Sequence, residues 1–147
     1  MAERTLILIK PDGVQRALIG ALVDRFERRG LRIAGLKLVH PDRDLAERHY
    51  AIHQGKPFYD GLVEFIVSGP VVAIALEGEK AVAVGRSLIG ALRDPLPGSI
   101  RGDFALSVGQ NLVHGSDEVE TAENELALWF KPEELLDYTR DIDRWIE

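Results

Sequence analysis

Val71-Val72-Ala73-Ile74-Ala75-Leu76 is an unbroken apolar run between the breaker Ser68-Gly69-Pro70 and the turn residues Glu77-Gly78. A short apolar segment bounded by turn signals reads as a central strand. Before it, Gly61 to Val67 forms a short helix with Leu62, Phe65 and Ile66 on one side. Gln54 to Tyr59 is a loop presenting Phe58 and Tyr59, which are either core anchors or a stacking surface for a planar ligand. Asp44 and Glu47 have capping-box spacing and open a helix through Tyr50 and His53. Leu31 to Val39 is a second strand, ended by His40-Pro41-Asp42. Val14, Leu18, Leu22 and Phe26 recur every four residues, so Val14 to Arg29 reads as one amphipathic helix stopped by Gly30. Thr5 to Ile9 is a buried strand that stops at Lys10-Pro11-Asp12-Gly13. Lys10 at that exit is either a solvated lysine or a functional one.

On the other side of the central run, Lys80 to Leu92 is a helix carrying Arg86, with Val84, Leu88 and Ala91 inward. Asp94 to Ser99 is a loop, and Phe104 to Val108 is read as the last strand, with Arg101 at its entry. Each arginine is a surface charge or a ligand; spacing does not decide. Lys131-Pro132-Glu133-Glu134 is a helix-start pattern, and Trp145-Ile146 points to a tail docked on its own subunit or a neighbour. The order predicts an α+β, ferredoxin-like (βαββαβ) antiparallel four-stranded sheet with helices on one face and a C-terminal helical tail. With no repeat or linker, residues 1–147 are expected to form one domain.

The net charge of −6 disfavours a large nucleic-acid surface, so no stable nucleic-acid partner is expected. Cysteine is absent, which excludes disulfides and thiolate metal sites and fits a reducing compartment. The apolar run Leu6 to Ile9 is too short for a signal-peptide core or a membrane span, so a cytoplasmic location and no membrane partner are expected. The P-loop pattern, G-x-G-x-x-G, the protein-kinase motifs and H-E-x-x-H are all missing. His49 and His53, one helical turn apart, are a weak metal pair.

Asn111-Leu112-Val113-His114-Gly115-Ser116-Asp117 carries the most chemistry. Asp117 and Glu120 have capping-box spacing, and Val119, Ala122, Leu126 and Trp129 repeat at helical intervals. His114 is therefore expected in the turn entering that helix. A neutral imidazole can accept a phosphoryl group or act as a general base. Lys10, Arg86 and Arg101 fall at or near element boundaries and are candidates to pair with phosphate. Glu125 lies too far along the helix to reach His114 unless the 111–115 loop folds back along it.

These residues resemble the nucleoside diphosphate kinase family. The resemblance rests on Asn111 through Asp117, on Glu120-Thr121-Ala122-Glu123 and on Glu125 through Phe130. It extends to Lys10-Pro11-Asp12-Gly13-Val14, Pro57-Phe58, Ser68 through Ala73 and Pro97 through Phe104, in the family's order over essentially the whole chain. It implies ping-pong transfer of the γ-phosphate of a nucleoside triphosphate, chiefly ATP, to a nucleoside diphosphate through a phosphohistidine on His114. By the same resemblance, Lys10, Arg86 and Arg101 contact phosphates, and Asn111 with Lys10 reaches the ribose hydroxyl and phosphate side. Tyr50 steers the γ-phosphate, Glu125 orients the imidazole, and Ser116 links to Glu125. Phe58 stacks on the base beside Leu62. Mg²⁺ is expected on the nucleotide phosphates and not in a protein cage. A homo-oligomer is implied, hexamer favoured and tetramer possible.

One departure stands out. Where the family usually has a small hydroxyl residue on the β-phosphate, this chain has Leu92, in a loop about two residues short. Arg93 is a possible substitute. The alternative reading is a catalytically weak nucleotide-binding or protein-interaction module on the same fold.

Overall fold

The computed structural model describes residues 2–147; Met1 of the expected domain lies outside them. Four strands, β1 (Glu3–Ile9), β2 (Arg32–Val39), β3 (Val71–Gly78) and β4 (Val113–Gly115), form one antiparallel sheet in the order β2-β3-β1-β4. This is the ferredoxin-like arrangement. The apolar run Val71 to Leu76 lies in β3, a central strand as expected, flanked by β1 and β2. A β-bulge between Ile33 and Gly35 shifts the β2 register on β3.

Helices cover both faces, not one. Successive side chains of a strand point to opposite sides. Leu6 and Leu8 of β1 join Ala46, Tyr50, Val63, Ile66, Leu126 and Trp129 in one core. Ile7 and Ile9 join Leu22, Phe26, Leu76, Ile89 and Ile100 in the other. A strand apolar at every position has two faces to bury, so the second layer is the physical consequence of β1 and β3.

The expected helix from Val14 to Arg29 is two pieces, α1 (Pro11–Gln15) and α2 (Ile19–Arg28). Ala17 adopts φ 58° between them, in the left-handed region where the α-helix does not continue. The every-fourth spacing still serves burial: Leu22 and Phe26 are fully buried, with Val14 and Leu18 against them. The next helix, α3 (Arg43–His49), is capped by Asp42, which accepts from Leu45 N at 2.8 Å; Asp44 is not the cap. After α4 (Tyr59–Val67) and β3 comes α5 (Ala81–Ile89), which is shorter than Lys80 to Leu92. Lys80 precedes it at φ 55° and Gly90 ends it at φ 89°.

The expected strand Phe104 to Val108 is absent. Ser99 accepts from Gly102 N at 3.0 Å and caps a short helix, α6 (Ile100–Phe104). Leu106 is fully exposed, so no face of a strand is buried there. The fourth strand is β4, and His114 lies within it, not in the turn before α7 (Val119–Trp129). Glu118 is the N-cap residue of α7 and no side-chain cap forms, so the Asp117/Glu120 box is not made.

The tail is helical only as two single 3-10 turns, Pro132–Glu134 and Asp143–Trp145. It docks on its own chain: Leu136 N donates to the Ala34 carbonyl at 2.8 Å, Tyr138 Oη to the Ile33 carbonyl at 2.5 Å, and Arg140 Nη2 to the Gly30 carbonyl at 3.0 Å. Ile146 packs on Gly30, while Trp145 stays exposed. No helix of the described residues is long and apolar enough to cross a membrane.

Candidate active site

The edge strand β4 pairs with the end of β1, and His114 stands opposite Leu8. Directly paired residues point to the same face. His114 therefore looks toward α3 and α7, as Leu8 does. Its neighbours Val113 and Gly115 face the opposite core. A Cβ on Gly115 would meet Ile89 Cδ1 at 2.6 Å, so a side chain there would have to push the end of Ile89 aside for β4 to lie this close to α5.

The face of α7 turned to β4 presents Glu125, which brings together two residues that spacing left apart. Glu125 Oε1 lies 3.0 Å from His114 Nε2 and accepts from Ser116 Oγ at 2.6 Å. Burial would push the Glu125 carboxyl up, but hydrogen bonding and charge from His114, with the Ser116 hydroxyl, hold it below the ordinary value. An ionised carboxylate can only accept. The proton of a neutral His114 ring is therefore on Nε2, and Nδ1 carries the lone pair. Nδ1 makes no hydrogen bond among the described residues.

His49 lies under this pair, a residue read from sequence only as half of a metal pair. Its ring meets His114 edge to face at 4.8 Å, and its Nδ1 accepts from Trp129 Nε1 at 3.0 Å. Burial first, and the neighbouring His114 second, push its pKa down to about 3, so it is neutral. His49, His114 and Glu125 have ligating atoms within 4.8 Å of one another. The Trp129 indole occupies the Nδ1 lone pair of His49, and His114 engages Glu125, so His49 packs against the hydrogen-bonded His114–Glu125 pair without bonding to it. His53 is on the other side of Tyr50 and takes no part in that trio.

A cleft of about 270 Å³ opens onto His114, lined also by Tyr50, His53, Arg86, Asp117 and Glu125. Arg86 Nη1 donates to the Gly115 carbonyl at 3.2 Å. Tyr50, at the C-terminal end of α3, is buried with its phenol pushed up to about 12 by burial and by the charge of Glu125.

Lys10 follows β1 at the same end of the sheet. Its backbone N donates to the Leu112 carbonyl and its Nζ to Asn111 Oδ1, both at 2.9 Å. Burial, then the charge of Arg101, lowers its pKa to about 8. Asn111 Nδ2 donates to the Val108 carbonyl at 2.9 Å. Arg101, on α6, is buried, with its pKa lowered to about 10 by burial and then by Arg86. Arg101 and Asn111 line a second cavity of about 310 Å³ against residues 92–95 and 105–108.

Phe58 and Leu62 line neither cavity. Phe58 is half exposed at the start of α4 and meets the His53 ring edge to face at 5.3 Å. Leu62 is one turn on, packed partly against the core. A larger cleft of about 570 Å³, between the start of β1, α7 and Pro132, holds none of the expected site residues.

The profile of the family described as nucleoside diphosphate kinase matches residues 3–135. The chain is 58% identical to the nucleoside diphosphate kinase of Synechococcus elongatus, over 98% of both chains. It is 55% identical to that of Thermomicrobium roseum, again over 98% of both. Among solved structures, the halophilic nucleoside diphosphate kinase of Halobacterium salinarum, in complex with CDP, superposes with a TM-score of 0.97 at 48% identity, over 100% of this chain and 99% of that one. A nucleoside diphosphate kinase family protein of Babesia bovis gives 0.96 at 44%, over 99% of each. Fold, cleft and whole-length similarity agree, and the chain belongs to the nucleoside diphosphate kinase family.

Proposed function

We propose that this chain, acting as one domain over residues 1–147, transfers the γ-phosphate of ATP or another nucleoside triphosphate to a nucleoside diphosphate through His114. The carrying observation is the 3.0 Å contact between His114 Nε2 and Glu125 Oε1, which leaves Nδ1 as the nucleophilic nitrogen. The Nδ1 lone pair attacks the γ-phosphorus. The bond from that phosphorus to the β,γ-bridging oxygen breaks, its electrons stay on the departing diphosphate, and the phosphorylated ring gains positive charge. Glu125 stabilises that charge. A nucleoside diphosphate reverses the step with its own terminal oxygen.

Phosphoryl transfer demands little covalent chemistry beyond this, so positioning and charge carry the rate. Arg86 and Tyr50 share the cleft with His114 and face the group in transfer. Lys10 and Asn111, already bonded to each other, reach the ribose and phosphates, with Arg101 behind them. Phe58 offers its exposed ring to the base, with Leu62 one turn along. Stacking reads a ring face and not hydrogen-bonding edges, so broad base tolerance follows.

The residues fit Mg²⁺ carried by the nucleotide. Glu125 is engaged by His114 and Ser116, and Asp117 is the exposed carboxylate of the cleft without an ion pair among the described residues. Asp117 would meet the ion's water shell. Bound to the phosphates, Mg²⁺ neutralises charge on their oxygens.

A homo-oligomer, six copies in preference to four, is part of the proposal. β2 is an edge strand that the tail covers at Ile33 and Ala34 but that leaves Leu36 and Leu38 exposed, and an open apolar stretch of edge invites pairing with another chain. Light scattering measures the number of copies. The cysteine-free sequence supports a cytoplasmic setting. The alternative, a catalytically weak binding module, is not favoured by a family whose relatives are named kinases over their full length.

The test is phosphorylation of GDP by ATP. The wild-type chain should turn over and carry acid-labile, base-stable label from γ-labelled ATP. His114→Ala should fall to background while still binding nucleotide. Label on the His114→Ala chain, or turnover by it, would remove His114 from the reaction.

A further inference from the structure

Arg101 is less available to a ligand than its position implies. A guanidinium has five N–H donors. Nε donates to the Asn111 carbonyl at 3.2 Å and Nη1 to the Gly90 carbonyl at 3.1 Å. Nη2 donates to the Val113 carbonyl at 2.7 Å and, more weakly, to Asn111 Oδ1 at 3.4 Å. One N–H, on Nη1, is left over. Arg101 is a clamp that ties the end of α5 to the start of β4, contributing charge more than contacts.

The cavity it backs has a second arginine. Arg93 lines the same wall as Leu92, Asp94, Arg101 and Asn111. It is exposed, and among the described residues it makes no hydrogen bond or ion pair, not even with Asp94 beside it. All five of its donors are open. Its loop is nonetheless pinned at both ends. Arg101 holds the Gly90 carbonyl, Asp103 Oδ1 accepts from Gly98 N at 2.8 Å, and Arg25 Nη1 donates to the Gly98 carbonyl at 3.0 Å. Between these anchors Asp94 adopts φ 49°, turning the chain sharply at Arg93.

We infer that Arg93 binds the phosphates that stay on the nucleotide, while Arg86 faces the phosphoryl group in transfer. The division follows from the two cavities: Arg86 shares one with His114, and Arg93 shares the other with Asn111 and Arg101. A guanidinium fork matches two phosphate oxygens at once, which a lysine does not. This inference rests on the phosphotransfer reading. The contact exists in both half-reactions, before and after the phosphoryl group moves. Such uniform binding acts on KM more than on kcat.

The experiment is calorimetric titration of the full chain with ADP and with adenosine, for wild type, Arg93→Ala and Arg93→Lys. Arg43→Ala, an exposed charge outside both cavities, is the control. In Arg93→Ala the Kd for ADP should rise about tenfold, as expected for one charge-assisted contact. Adenosine affinity and the thermal midpoint should be those of wild type, and steady-state kinetics should show the loss in KM. Arg93→Lys should recover part of the ADP affinity, and the control none of the loss. Unchanged ADP affinity in Arg93→Ala would overturn the inference, and so would an equal loss for adenosine. Failure of the wild-type chain to form phosphohistidine would instead strike the phosphotransfer reading, since ADP titration needs no turnover.

Discussion

Glu125 Oε1 sits 3.0 Å from His114 Nε2 although they are eleven positions apart, because β4 pairs with β1 while α7 packs across β1. Ser116 Oγ bonds the same oxygen at 2.6 Å, so the carboxylate is fixed before it fixes the ring. In Glu125→Ala the imidazole loses both its tautomer bias and its aim. Misplacing a reacting group by about 1 Å costs on the order of 10²-fold. The rate of phosphohistidine formation in a single turnover should fall by about that factor, with nucleotide affinity retained. A rate within about twofold of wild type, well inside that 10²-fold loss, would mean the ring is oriented by something else.

Lys10 should give the reaction its alkaline limb. Burial and Arg101 lower its pKa to about 8, so in the free protein it is charged at pH 7 and loses its proton above pH 8. A bound phosphate favours the charged form and pushes the pKa back up. Consequently kcat/KM, which reports the free enzyme, should decline above about pH 8, while kcat holds to higher pH. In Lys10→Gln the limb should vanish. At pH 7 the variant should lose about 10–100-fold in kcat/KM, the equivalent of a charged hydrogen bond. A wild-type kcat/KM that stays level to pH 9.5 would contradict this.

The strands β1 to β3 and the helical cores were legible in the sequence because local apolar pattern decides them. What was not legible depends on one residue's dihedral or on distant packing. Ala17 interrupts the first helix without altering its every-fourth apolar spacing. Phe104 to Val108 alternates like a strand, yet the Ser99 cap begins a helix just before it and leaves Leu106 in solvent. His114, Lys10, Arg86 and Arg101 stood out from their own positions, and Tyr50, Phe58 and Leu62 took their roles from the resemblance; the contacts of none of them were legible. The partnership of His49 with Trp129, which are eighty residues apart, leaves no local signal. Two unbroken apolar strands did signal that both faces of the sheet are covered, and the one-face expectation overlooked it.

Gly102 should be intolerant of any side chain. A Cβ there would lie 1.9 Å from the Leu96 carbonyl oxygen and 2.8 Å from Ser99 Oγ. The first is backbone and cannot rotate away, so residues 96–99 must move. Overpacking of this kind costs about 1–3 kcal/mol. Gly102 N also supplies the hydrogen bond that the Ser99 cap accepts, and Arg101 is its neighbour. Gly102→Ala should lower the urea midpoint and weaken ADP binding together. A variant with an unchanged midpoint would show that the loop yields without strain.

His49 should set much of the acid sensitivity of the fold. Its side chain is 1% exposed, its Nδ1 accepts from Trp129 Nε1, and burial followed by His114 holds its pKa near about 3. In the unfolded chain the ring titrates near about 6.5. Between those values the unfolded state binds a proton that the native state refuses. The stability is therefore complete above about pH 6.5 and falls as pH drops, by at most ~1.4 kcal/mol per unit. Glu125, whose pKa is also depressed, acts in the same direction but begins below the ordinary glutamate range. The two separate in His49→Gln, whose amide oxygen can still accept from the indole. Urea unfolding at a series of pH values should give a shallower loss for the variant between about pH 4.5 and 6.5, where His49 acts without Glu125, and the two curves should go on diverging until about pH 3. Equal slopes across that window would mean that His49 accepts a proton in the folded chain and is less shielded than its contacts with Trp129 and His114 require.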